Sequence, residues 1–106
     1  MAILHITDEN YAQLAENSDE PILLDFWADW CMPCKMLGPV LEGLTDEKDF
    51  IRVGKVNVDE CPELTEAFGV QSVPLLVVLK QGEVLESSVG VKSQEAIRAM
   101  VQNALS

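Results

Sequence analysis

Asp25-Phe26-Trp27-Ala28-Asp29-Trp30-Cys31-Met32-Pro33-Cys34-Lys35 contains a change of period from strand to helix. Ile22 to Ala28 is nearly continuous apolar sequence, the mark of a strand buried on both faces. From Cys31 to about Lys48 the period becomes helical, with Met36, Leu37, Val40, Leu41 and Leu44 as an apolar stripe. Pro39 inside that stretch should kink it, because proline lacks an N–H and its ring crowds the preceding turn. Cys31 and Cys34 therefore sit at a strand-to-helix junction. Three residues is nearly one helical turn, so both sulfurs fall on one side of the first turn and can be bridged. The first N–H groups of a helix lack intrahelical partners and carry partial positive charge, which favours a thiolate at Cys31. Pro33 is tolerated there because a first-turn N–H has no partner to lose.

Working outward, Ile3-Leu4-His5-Ile6 reads as a short strand, and Thr7-Asp8-Glu9 offers a cap and acids for a helix running to about Asn17. Ser18-Asp19-Glu20-Pro21 breaks it. Ile51 to Val58 returns to strand character, and a short helix follows near Pro62 to Phe68, closed by Gly69. Val73 to Leu79 is a second buried-strand run, Gln81-Gly82 a turn, and Glu83 to Val89 a weakly alternating strand. Ser93 caps a last amphipathic helix with Ile97, Met100, Val101 and Leu105 on one side. The order β-α-β-α-β-α-β-β-α predicts an α/β fold: a mixed, mostly parallel central sheet of about five strands flanked by four helices. Strands separated by helices are expected to be parallel and the two joined by the short turn antiparallel.

The chain has 106 residues, the size of one domain, so 1–106 is expected to be a single domain. It carries 18 acids against 7 bases, a net charge of −11. Phosphate backbones and anionic membrane surfaces repel such a surface, which argues against nucleic-acid or membrane partners. The opening segment MAILHITDEN has neither a basic nor an apolar targeting region, and no apolar run approaches a membrane span, so a cytoplasmic location is expected. Three cysteines are too few for a disulfide scaffold and in a reducing compartment are catalytic, metal-binding or inert. A tetrahedral zinc site needs four ligands, and beyond the pair only Cys61 and His5 remain, each alone in sequence. No metal is expected. Asp25 stands inside a buried strand, where desolvation raises a carboxyl pKa towards the range useful for proton transfer near neutral pH. An ion-paired structural acid is the plainer alternative.

The segment from Asp25 to Lys35 resembles the active site of the thioredoxin family. The likeness continues through Pro39, Lys55-Val56-Asn57-Val58-Asp59, Ser72-Val73-Pro74, Gly82 and Gly90, in order along essentially the whole chain. The resemblance implies a protein-disulfide reductase with no cofactor beyond a redox-active Cys31–Cys34 disulfide. Cys31 would be the exposed nucleophile, Cys34 the more buried resolving thiol, and Asp25 would exchange a proton with Cys34, directly or through a water. Lys55 would tune Asp25; its plainer reading is a lysine facing solvent. Trp30, Met32, Pro33, Val73, Pro74, Gly90 and Val91 would bind substrate, Pro74 in the cis form and Val73 through its backbone. Implied partners are disulfide-containing client proteins and a thioredoxin reductase, either a flavoprotein using NADPH or a ferredoxin-linked enzyme. The residues themselves lead to the expectation of a monomer, since no long apolar surface helix is left over.

Two positions depart from the common pattern: Met32 where the family has glycine, and Leu75 where it has threonine. Both bear on partner choice and redox poise more than on the reaction. Phe26 and Trp27 read as core, and Cys61 as an inert or modestly exposed thiol, with an oxidation-sensitive or dimer-forming thiol as the alternative. A disulfide oxidant or isomerase on the same fold, and a docking module without redox turnover, are the competing functions.

Overall fold

A computed structural model describes residues 3–106; residues 1 and 2 of the expected domain lie outside the described residues. Strands β1 (Leu4–His5), β2 (Ile22–Trp27), β3 (Arg52–Asn57), β4 (Leu75–Lys80) and β5 (Glu83–Val89) form one sheet in the order β1-β3-β2-β4-β5. Helices α1 (Met32–Thr45), α2 (Pro62–Ala67) and α3 (Gln94–Leu105) and a π-helix at Ala12–Glu16 complete the expected four. Both β1 and β2 pair with β3 in parallel, whereas β4 pairs antiparallel with β2 and with β5. Four of the five strands thus share one direction.

The antiparallel entry of β4 departs from the expectation that helix-separated strands run parallel. The cause is the length of α2. Its six residues rise about 9 Å, while returning along a six-residue strand takes roughly 20 Å. The chain therefore stays near the end where β3 finishes and starts β4 there, with Leu75 opposite Phe26.

Alternation along β2 divides its side chains between two cores. Ile22, Leu24 and Phe26 face the side covered by the π-helix and α2, where Phe68 packs 5.1 Å from Phe26 and Tyr11 meets Phe68 edge-on. Leu23 faces α1 and α3, against Leu37, Leu41, Leu44, Ile97 and Val101. Both faces of the strand are buried, as its unbroken apolar sequence requires.

Three helical expectations need correction. The first helix is not α-helical over 7–17. Thr7 and Asn10 cap each other reciprocally, the Thr7 N–H donating to Asn10 Oδ1 at 2.7 Å and the Asn10 N–H to Thr7 Oγ1 at 3.2 Å. The chain then widens, with the Asn17 N–H reaching the Ala12 carbonyl at 2.9 Å. Arg52 takes the Leu14 carbonyl of this helix at 2.8 Å, and also the Glu20 carbonyl of the loop that follows at 2.9 Å. Helix α1 ends at Thr45 rather than near Lys48: Glu47 leaves the helix for a two-pronged pair with Arg98 of α3, at 2.7–3.0 Å. Met36 is not part of the core stripe but 65 % exposed. It lies about 100° round the helix from Leu37, on the same outer face as Met32 one turn earlier.

Candidate active site

The end of β2 and the start of α1 bring Cys31 and Cys34 together, and the two form a disulfide with Cα atoms 5.3 Å apart. Cys31 is the N-cap of α1 in an extended conformation, and its Sγ accepts the Cys34 N–H at 3.2 Å. One of the helix's otherwise unpartnered donors is thereby aimed at that sulfur. The cysteines lie with Ala28 in a small apolar cluster bordered by Trp27, Val58 and Val73. The expected contrast in exposure between them is not found. Cys31 is 4 % exposed and Cys34 3 %, because the disulfide and the surrounding rim cover both. What distinguishes the sulfurs is direction. Cys31 Sγ lies 3.6 Å from the Val73 carbonyl oxygen, at the head of the loop before β4.

The peptide bond between Val73 and Pro74 is cis. Pro74 is buried, and its carbonyl accepts the Gly90 N–H at 2.9 Å, tying this loop to the end of β5. The Val73 N–H has no hydrogen-bond partner among the described residues. Gly90 has φ +101°, and a Cβ built there meets nothing within 4 Å. Glycine is needed at this position for its backbone angle; crowding within the chain plays no part.

Trp30, Met32 and Pro33 are exposed around the cysteines, and Val91 is 40 % exposed beyond Gly90. Beside them runs a groove of about 390 Å³ lined by Trp30, Val58, Thr65, Val70, Ser72 and Val73. Asp59 is the member that sequence reasoning passed over. Its Oδ2 accepts the Trp30 indole N–H at 2.9 Å, and its own N–H is held by Asn57 Oδ1 at 2.9 Å. The residue stood in the Lys55–Asp59 run, but nothing in that run points to a tryptophan 29 positions earlier.

Asp25 is completely buried, and neither carboxyl oxygen has a hydrogen-bond partner among the described residues. Burial pushes its pKa up to about 6, against a smaller lowering pull from the Lys55 charge. Lys55 is half-buried opposite Asp25 in the β2–β3 register, yet makes no salt bridge with it. The Lys55 ammonium instead lies 4.5 Å from the centroid of the Trp27 ring. The Trp27 side chain is accordingly half-buried rather than fully in the core, as Phe26 is. Among the described residues no group of three or more His, Cys, Asp or Glu side chains is arranged to hold a metal ion.

A bridged pair of cysteines at a helix N-terminus, facing a cis-proline loop over a buried carboxyl, is an arrangement for dithiol–disulfide exchange. The thioredoxin family model matches residues 2–103. The chain belongs to the thioredoxin family. It is 48 % identical to a thioredoxin of Bacillus subtilis (strain 168) over 106 residues, covering 99 % of this chain and 100 % of that protein. A thioredoxin of Alicyclobacillus acidocaldarius is 41 % identical, covering 98 % of this chain and 99 % of that protein. One of Haemophilus influenzae is 46 % identical over 89 residues, covering 83 % of each chain. The sheet and its four helices are the thioredoxin fold, and the protein is a thiol–disulfide oxidoreductase, a protein-disulfide reductase.

Proposed function

We propose that the chain works as an electron carrier in which Cys31 attacks a client disulfide and Cys34 resolves the mixed disulfide. The observation that carries this division of labour is the Cys34 N–H aimed at Cys31 Sγ from the first turn of α1. A partial positive charge at that point favours the Cys31 thiolate. The thiolate attacks one client sulfur, the client S–S bond breaks, and the departing sulfur takes a proton. Cys34 then gives its proton to Asp25 and attacks Cys31 Sγ. The Cys31–client S–S bond breaks, and the second client thiolate takes up the proton from Asp25 as it leaves, the first departing sulfur having been protonated from solvent. The client has gained two electrons and two protons, and Cys31 and Cys34 are joined. A thioredoxin reductase, using flavin and NADPH or linked to ferredoxin, returns the electrons.

Trp30, Met32, Pro33 and Val91 serve as the apolar rim on which the client rests, with Asp59 holding Trp30 in place. An extended client segment pairs with the Val73 backbone, beside Pro74 and Gly90. The partnerless Val73 N–H supports this strand-addition mode. Lys55 tunes Asp25 through its charge. Residues 1–106 act as one domain and as a monomer, a state favoured by the repulsion between copies of net charge −11. No metal takes part. A cytoplasmic setting suits a dithiol that must be kept reduced, and no described helix is long and apolar enough to cross a membrane.

Insulin disulfide reduction with dithiothreitol as electron source tests the assignment. Wild type is expected to precipitate the insulin B chain, and Cys31→Ser to do nothing. Cys34→Ser is expected to stall as a mixed disulfide on Cys31 that mass spectrometry detects. A client trapped through Cys34 in the Cys31→Ser variant would reverse the roles.

A further inference from the structure

Asp25, Trp27 and Lys55 share one face at the redox end of β2 and β3. Side chains two apart on β2 point the same way, and the register sets Lys55 directly opposite Asp25 and diagonal to Trp27. Lys55 therefore has two places to put its charge: on the carboxyl across the ladder or on the indole face beside it. The structure shows it on the indole, 4.5 Å from the ring centroid. Asp25 is left with both oxygens unpartnered. β4 offers Leu76 across from Asp25, and the core on this face is built from Leu37 and Leu41 of α1 and Ile97 of α3. Cys34 stands at the start of α1, and Lys55 is the charged group acting on the carboxyl. A cation is attracted to an indole face by the ring quadrupole, and more so when partly desolvated, so the Trp27 ring competes with the carboxyl for the Lys55 ammonium.

We propose that Trp27 is a positioning residue: its indole holds the Lys55 ammonium away from Asp25 and so keeps the carboxyl proton-binding near neutral pH. Trp27 also packs against the apolar cluster that holds the two cysteines, but the role proposed here is exerted through Lys55. Its consequence for turnover rests on the reading of Asp25 as the proton acceptor for Cys34. The positioning itself does not, because the titration of Asp25 can be read without turnover.

The test is carboxyl carbon NMR of Asp25 against pH in the oxidised protein, for wild type, Trp27→Leu, Trp27→Phe, Lys55→Met and the double variant Trp27→Leu/Lys55→Met. Trp27→Leu is expected to lower the Asp25 midpoint by about one pH unit as Lys55 moves onto the carboxylate. Trp27→Phe, which keeps a ring face, should lie between. With Lys55→Met already present, Trp27→Leu should cause no further fall. An equal fall in both backgrounds would mean that water entry lowers the midpoint, and that result overturns the proposal. So does an unchanged midpoint in Trp27→Leu. A second readout, the pH profile of mixed-disulfide release by Cys34, separates the two readings. A midpoint that moves while the release profile stays fixed removes Asp25 as the proton acceptor and leaves the positioning intact.

Discussion

Asp8, in the loop after β1, caps α2 from 55 positions away. Its Oδ1 accepts the Leu64 N–H at 3.0 Å and its Oδ2 the Glu63 N–H at 3.3 Å. The helix has no cap of its own, because the Cys61 side chain makes no capping bond. The Cys61 thiol is turned inward instead, donating to the Ile6 carbonyl at 3.6 Å. It is buried, so the oxidation-sensitive or dimer-forming alternative finds no accessible sulfur. A short helix docked in this way depends on tertiary contacts for its existence.

Replacing that cap should therefore be felt. Asp8→Ala is expected to cost about 1 kcal/mol, a fall in Tm of about 4–8 °C for a domain of this size. Asp8→Asn keeps an acceptor for the Leu64 N–H and should lose less. Thermal unfolding followed by circular dichroism checks both. An alanine variant as stable as wild type would show that solvent satisfies those donors equally well.

Gly54 illustrates what periodicity cannot carry. A glycine in the middle of β3 looks like a weak point, yet a Cβ there would lie 2.7 Å from Ile6 Cγ1 and 3.1 Å from Ile22 Cδ1. The residue is small because the Ile6 side chain, just past β1, and the Ile22 side chain of β2 close over it. Gly54→Ala should destabilise by about 1–3 kcal/mol. Combined with Ile6→Ala, which removes the Cγ1 in the way, the two losses should sum to less than their separate values. Urea denaturation of the three variants measures this coupling, and simple additivity would place the clash elsewhere.

The strands were legible because β2 and β4 are buried on both faces and read as unbroken apolar runs. The cysteine pair was legible because its chemistry depends on local spacing. The direction of β4, the widened first helix and the Trp30–Asp59 and Asp8–α2 bonds were not. Each depends on a partner 29 or more residues away or on the length of α2, and neither leaves a periodic trace. Lys55 shows the limit most clearly. Its proximity to Asp25 followed from the motif, whereas its choice of Trp27 depends on the register of β2 and β3.

The buried carboxyl should make stability fall with rising pH. The Asp25 pKa is pushed up to about 6 in the fold by burial, from an ordinary value of 3.8. Between those values the folded chain keeps a proton that the unfolded chain releases, so stability declines as pH rises from about 4 to about 6 and stays lower above. A shift of about two units corresponds to roughly 3 kcal/mol. Asp25→Asn of the oxidised protein should be more stable than wild type at about pH 7.5, by up to that amount. Little of the gain should remain at about pH 3.5. Urea midpoints of both proteins at the two pH values decide it. A gain equal at both would assign the effect to packing.

The two thiols of the reduced protein should differ in reactivity despite their similar burial. Cys31 sits at the helix N-cap with a backbone N–H aimed at its sulfur. Cys34 shares the apolar cluster with Cys31 and Ala28, so desolvation opposes both thiolates, but it sits inside the first turn and no backbone N–H is aimed at its sulfur among the described residues. Iodoacetamide at about pH 7 should alkylate Cys31 faster than Cys34 by roughly tenfold or more, read by peptide mass mapping at partial modification. Asp25→Asn should leave the Cys31 rate nearly unchanged, because that thiolate is stabilised by the helix end. Equal alkylation of the two cysteines would mean that the α1 terminus does not distinguish them, and the division into attacking and resolving thiols would need another cause.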